Sequence, residues 1–180
     1  MLVDLLPFND NRGGGKDFET SLTYHRLDPK KTGTYNYLPV GNLVSYVTKE
    51  RTGKTPLEYA EEKVFPLLGI QEGQYDWYKN LEGVNLGFHG LKLTPDALSK
   101  IAMLYLQQGM ANENDEVVTK DFVQRSFTAG GPGSYYDGGF GYMAWWLEGD
   151  KPAACTYGFG GQRACVNYET NRAIAILSQT

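Results

Sequence analysis

A hydroxyl nucleophile needs a base within reach, and a lysine one helical turn beyond a serine, Ser-x-x-Lys, is a compact way to supply one. None of the serines, Ser21, Ser45, Ser99, Ser126, Ser134 and Ser178, has a lysine three positions later, and no Gly-x-Ser-x-Gly elbow occurs. Other reactive groups are as sparse. Cys155, Cys165 and the isolated His25 and His89 lack the spacing of a zinc site, so no metal site is expected. The cysteines read as two small buried thiols, a disulfide being the alternative if they face each other across a hairpin. His89 precedes a tight glycine and reads as a surface or satisfied histidine. Glu58, Glu61 and Glu62 read as solvated beside Lys63, and the charge of Asp96 suits the first turn of a helix.

The elements that must carry such groups change character along the chain. Residues 9–33 are polar and glycine-containing and read as an extended, loop-rich segment. Leu43, Val44 and Val47 lie on one face of a short helix that Gly53 ends. Thr55-Pro56-Leu57-Glu58 opens a second helix through a capping box, and Pro66 stops it. Residues 67–93 read as a packed connection rich in turn glycines. Thr94-Pro95-Asp96 starts the strongest helix, whose Leu98, Ile101, Ala102, Tyr105 and Leu106 face the core before Gly109 closes it. A shorter helix from Thr119 points Phe122 and Val123 inward, and a glycine-rich loop follows over 129–139. Beyond it the period becomes strand-like, placing Trp145 and Trp146 on opposite faces. Strands over 153–159, 162–167 and 172–178 continue an antiparallel meander, with Gly160-Gly161 as the first turn.

Helices first and a meander last indicate an α+β domain, not an alternating parallel fold. At 180 residues one domain, 1–180, is expected, mainly helical over about 34–130 and a meander over about 138–180. The balance of 17 basic against 21 acidic residues has no basic block, which argues against nucleic acid and for a small or neutral partner. Hydrophobic residues make up 41%, too many for a disordered chain, and no apolar run approaches the roughly 20 residues of a membrane span. Met1 to Leu6 carries an acid and no basic lead, so it does not read as a secretory signal, and localisation stays open.

Three stretches, in order, resemble the serine β-lactamase and penicillin-binding-protein-like superfamily, in its class C-like, esterase and D-alanyl-peptidase branch. They are Thr52-Gly53-Lys54-Thr55-Pro56 through Phe65-Pro66-Leu67-Leu68-Gly69-Ile70; Gly90-Leu91-Lys92-Leu93-Thr94-Pro95-Asp96 with Leu104-Tyr105-Leu106 and Gly109; and Gly141-Tyr142, Trp145-Trp146 and Gly158-Phe159-Gly160-Gly161-Gln162. The likeness runs from about Asp4 to the end. It implies a β-lactamase/transpeptidase-like domain with a helical subdomain and a C-terminal antiparallel sheet, incomplete at its N-terminus. It also implies a cofactor-free hydrolase that cleaves an amide, β-lactam or ester through an acyl-enzyme, with a small-molecule or peptide substrate. The family's Ser-x-x-Lys would precede Met1. Its Tyr-x-Asn/Ser motif corresponds to Tyr35-Asn36-Tyr37, with Tyr35 preferred over Tyr37 as the proton relay. The alternative reading of the two tyrosines is ring packing in a loop. Its Lys-Thr-Gly strand corresponds to Thr156-Tyr157-Gly158, where Gly158 admits substrate and the Phe159 N–H donates to an oxyanion. Thr156 lacks the cationic head, which weakens preference for a carboxylate-bearing substrate. The rival expectation is a binding or self-associating scaffold on the same fold, pairing through an exposed sheet edge.

Overall fold

The computed structural model describes residues 41–127, 145–146, 153–158 and 160–178. Helix α1, Gly41–Thr52, ends where Gly53 takes a left-handed φ of 71°. The side the sequence marks as apolar is turned outward: Leu43, Val44 and Val47 are 36, 66 and 49% exposed, and the buried residue is Ser45. Backbone packing is the cause. A methyl on Gly87 would lie 1.9 Å from the Gly41 carbonyl oxygen and 2.5 Å from Ser45 Oγ, so the helix rests on its small residues.

Helix α2, Pro56–Lys63, starts from the expected capping box: Thr55 Oγ1 accepts from the Glu58 N–H at 3.4 Å, and the Glu58 carboxylate accepts from the Thr55 N–H at 2.8 Å. That backbone bond holds the Glu58 carboxyl below its ordinary range. Pro66 does not simply stop the helix, as the sequence suggests. It sits in the first turn of a new short helix, α3, Phe65–Leu68, where a missing N–H costs nothing. The connection over 67–93 holds a two-stranded antiparallel ribbon, β1 (Tyr75–Trp77) on β2 (Leu91–Leu93). Strands of this length are too short for alternation to register in sequence. Asn85, 1% exposed, ties the ribbon to α2 by accepting from the Leu57 N–H and donating to the Trp77 carbonyl, both at 3.1 Å. A bond at each end of its amide offsets the cost of burying it.

Helix α4, Pro95–Leu106, is capped by Thr94, whose Oγ1 accepts from the Ala97 N–H at 3.2 Å. Its first half packs Ala97, Leu98 and Ile101 with Phe65, Ile70 and Leu93 into one core. Its second half lies across the C-terminal sheet, with Ala102 and Leu104 buried at 2 and 4% exposure. Leu104 is outside the stripe read from the sequence because the helix packs on two sides. Helix α5, Lys120–Ser126, buries Val123 at 1% as expected, whereas Phe122 is 40% exposed and not inward.

The sheet is an antiparallel meander in the order β3 (Trp145–Trp146), β4 (Ala154–Tyr157), β5 (Arg163–Asn167), β6 (Arg172–Ile176). Register places Ala154 opposite Val166 and Val166 opposite Ala173, on the face that meets α4, and Cys155 opposite Cys165 and Cys165 opposite Ile174 on the other. Trp145 pairs with Cys155 and Trp146 with Ala154. The cysteines are not two separate thiols. They form a disulfide directly across β4 and β5, with Cα atoms 4.1 Å apart. Period alone could not choose between these readings, because a small buried residue and a bridged cysteine occupy the same strand position. No helix among the described residues is long and apolar enough to cross a membrane.

Candidate functional site

β4 runs between β3 and β5, and the antiparallel ladders on its two sides fix the course of the chain through Thr156 and Tyr157 to Gly158. The Thr156 hydroxyl accepts from the Ala164 N–H at 3.1 Å and donates to the Ala164 carbonyl at 3.4 Å. It is therefore committed to the neighbouring strand. Thr156 also borders a small cavity of about 40 Å³ closed by Ile101, Tyr105 and Phe127. The Tyr157 ring carries the Arg163 guanidinium 4.3 Å from its centroid, a cation–π contact between residues paired in register. A cation therefore does border this strand, supplied by β5 and not by position 156.

The turn after β4 is built around Gln162, which sequence reasoning placed only at the start of the next strand. Gly158 N–H donates to the Gln162 carbonyl at 2.8 Å, and Gly161 N–H donates to the Gly158 carbonyl at 3.0 Å. Gly161 takes a φ of 87°, and because Gly158 bonds to both Gly161 and Gln162 the turn begins one residue earlier than a Gly160-Gly161 pair alone would suggest. The Gln162 side chain, 2% exposed, folds under the turn and its Oε1 accepts from the Gly160 N–H at 3.0 Å. Ser178 Oγ donates to the Gly160 carbonyl from the far side. A methyl on Gly158 would lie 2.4 Å from Gln162 Oε1. Glycine is needed at 158 because Gln162 fills the space a side chain would take.

Phe159, Tyr35 and Tyr37 lie outside the described residues. Among the described tyrosines, every phenol with a resolved shift is displaced upward. Burial pushes Tyr168 up to about 12 and raises Tyr105, and burial followed by the Glu61 hydrogen bond pushes Tyr75 up to about 12. A proton-relaying phenol needs the opposite shift. Tyr168 serves structure instead: its hydroxyl donates to the Tyr105 carbonyl at 2.8 Å, and Phe127 bridges both rings at 5.6 and 5.7 Å. A larger open groove of about 440 Å³ lies between Met103, Leu106 and Gln107 on α4 and residues 171–174 at β6. It lacks a nucleophile or base, so the chemistry-bearing candidate stays at β4. His89 meets Phe88 edge-on at 4.2 Å, on the ribbon and not at β4.

No protein-family model and no curated protein matches the sequence. Solved structures do. The backbone is similar to a candidate 6-aminohexanoate-dimer hydrolase from Bacillus anthracis, with a TM-score of 0.73 and 16% identity over 94% of this chain and 45% of that one. It is similar to an octameric penicillin-binding protein homologue from Pyrococcus abyssi, with a TM-score of 0.64 and 16% identity over 81% of this chain and 39% of that one. A candidate beta-lactamase from Bacteroides dorei gives a TM-score of 0.63 and 16% identity over 96% of this chain and 59% of that one. The chain has the β-lactamase/penicillin-binding-protein-like fold and spans between 39 and 59% of the length of these structures.

Proposed function

We propose that this chain is part of a serine hydrolase domain that cleaves an amide, β-lactam or ester bond through an acyl-enzyme. In this reading the chain forms a single, partial domain. The likeness of fold across 94% of the chain to a structure named as a candidate hydrolase carries the proposal. β4 supplies the oxyanion strand at Gly158 and Phe159, Thr156 and Tyr157 border the substrate, and Tyr35 or Tyr37 relays the proton. The serine and lysine come from a segment beyond these 180 residues, since no Ser-x-x-Lys pair lies within them. Hydrolysis would place the developing negative oxygen against the Phe159 N–H, because the Gly158, Gly160 and Gly161 N–H groups already donate within the turn. Labelling with a fluorescent penicillin and with a fluorophosphonate tests this. The 180-residue chain should take neither label, and the polypeptide extended upstream by its own coding sequence should take one. Labelling of the short chain alone, or of neither, overturns the proposal.

One observation favours the scaffold reading. β6 is the outer strand among the described residues, and its Ile174 and Ile176 are 54 and 47% exposed on one face. An open edge beside apolar side chains pairs readily with another chain, and one structure of this fold is octameric. A native oligomer of 20.1 kDa subunits that takes no label would favour the scaffold over the enzyme.

A further inference from the structure

We propose that Cys155 and Cys165 are positioning residues for the β4 strand, a redox clamp that holds the backbone at Gly158 in register. Its consequence for catalysis rests on the hydrolase reading above; the clamp itself does not.

The disulfide joins residues directly opposite in the β4–β5 ladder and is separated by 10 positions in sequence. Thr156, Tyr157, Gly158 and the whole turn through Gln162 lie inside the ring it closes. That ring is costly to order, because Gly158, Gly160 and Gly161 each lose more backbone freedom on ordering than other residues do. Its described non-covalent restraints include the bonds from Gly158 N–H to the Gln162 carbonyl and from Gly161 N–H to the Gly158 carbonyl, the Gln162 amide under Gly160, the Ser178 hydroxyl on the Gly160 carbonyl, the Thr156 hydroxyl on Ala164 and the Arg163–Tyr157 contact. A covalent tie at the base of the hairpin removes open conformations of this ring that the hydrogen bonds alone leave accessible. Donors aimed at a developing charge depend on that kind of fixed backbone.

Cys155 is fully buried and Cys165 half-buried, so the Cys165 side is the approach for a reductant. A dithiol supplies the chemistry in balance. Its thiolate attacks the Cys165 sulfur, the Cys155–Cys165 bond breaks, and Cys155 leaves as a thiolate that takes up a proton. The second thiol of the reductant then closes on the mixed disulfide and releases Cys165, giving two protein thiols and one oxidised, cyclic reductant.

Hydrogen exchange of the intact chain, with and without dithiothreitol, tests the clamp together with a thiol count. Protein purified without reductant should show no free thiol. On reduction, protection of the Gly158 and Gly161 amides should fall by at least about tenfold, while Ala102 and Leu104 in α4 stay within about twofold. The double variant Cys155→Ala/Cys165→Ala should show the low hairpin protection whether or not dithiothreitol is present. Two free thiols in the untreated protein, unchanged hairpin protection on reduction, or an equal loss in hairpin and helix would each overturn the proposal. These readouts need no hydrolysis, so failure of the clamp and failure of the hydrolase reading are seen separately.

Discussion

Gln162 and Gly158 fit each other, and the fit can be measured. Gln162→Ala strips the buried partner from the Gly160 N–H and should cost about 1–3 kcal/mol in urea unfolding. Gly158→Ala drives a methyl to 2.4 Å from Gln162 Oε1 and should cost a similar ~1–3 kcal/mol. The two losses share one cause, so the double variant should cost less than their sum; additivity within about 0.5 kcal/mol would show that the contact does not set this turn. Tyr168 provides a pH readout. Burial lifts its folded pKa from 10.0 to about 12, so the fold favours the neutral phenol. Its stabilising contribution is complete below pH 10 and is lost as pH rises toward about 12. Tyr168→Phe should lessen the alkaline loss, to which Tyr75 also contributes, as followed by thermal unfolding across the same range.

At the scale of elements, helix α4 joins the two packed regions, and its ends should respond unequally to substitution. Thr94→Ala removes one cap bond and should cost about 1 kcal/mol. Gly109→Ala should cost more, about 2 kcal/mol or above, because Gly109 has a φ of 93° and an added methyl would lie 1.8 Å from the Val118 carbonyl oxygen. Urea midpoints of the two variants would check the order. Both ends are legible in the residues, since Thr94-Pro95-Asp96 and Gly109 are strong local signals. The two packing faces of α4 are not, because one stripe of Leu98, Ile101 and Tyr105 looks the same whether it meets one neighbour or two.

For the molecule as a whole, β6, the outermost strand among the described residues, sets the expectation for assembly. Self-association through that edge should appear as a concentration-dependent rise in sedimentation coefficient, and Ile174→Lys should suppress it by placing charge on the strand and its apolar face. A wild-type chain that stays monomeric as its concentration rises would remove the self-associating form of the scaffold reading.

The sequence by itself determined the α+β order, the caps at Thr55 and Thr94, the start of the short helix at Thr119, the meander and the likeness of fold, because each is written in residues close together in the chain or in their order along it. Tertiary structure decided the rest. It turned Leu43, Val44 and Val47 outward because two glycine backbones meet, and it joined Cys155 to Cys165 because register brings them opposite. It also gave Gln162 the task of shaping the turn at Gly158. Each of these depends on which strand or backbone lies alongside, and one-dimensional periodicity carries no record of that neighbour.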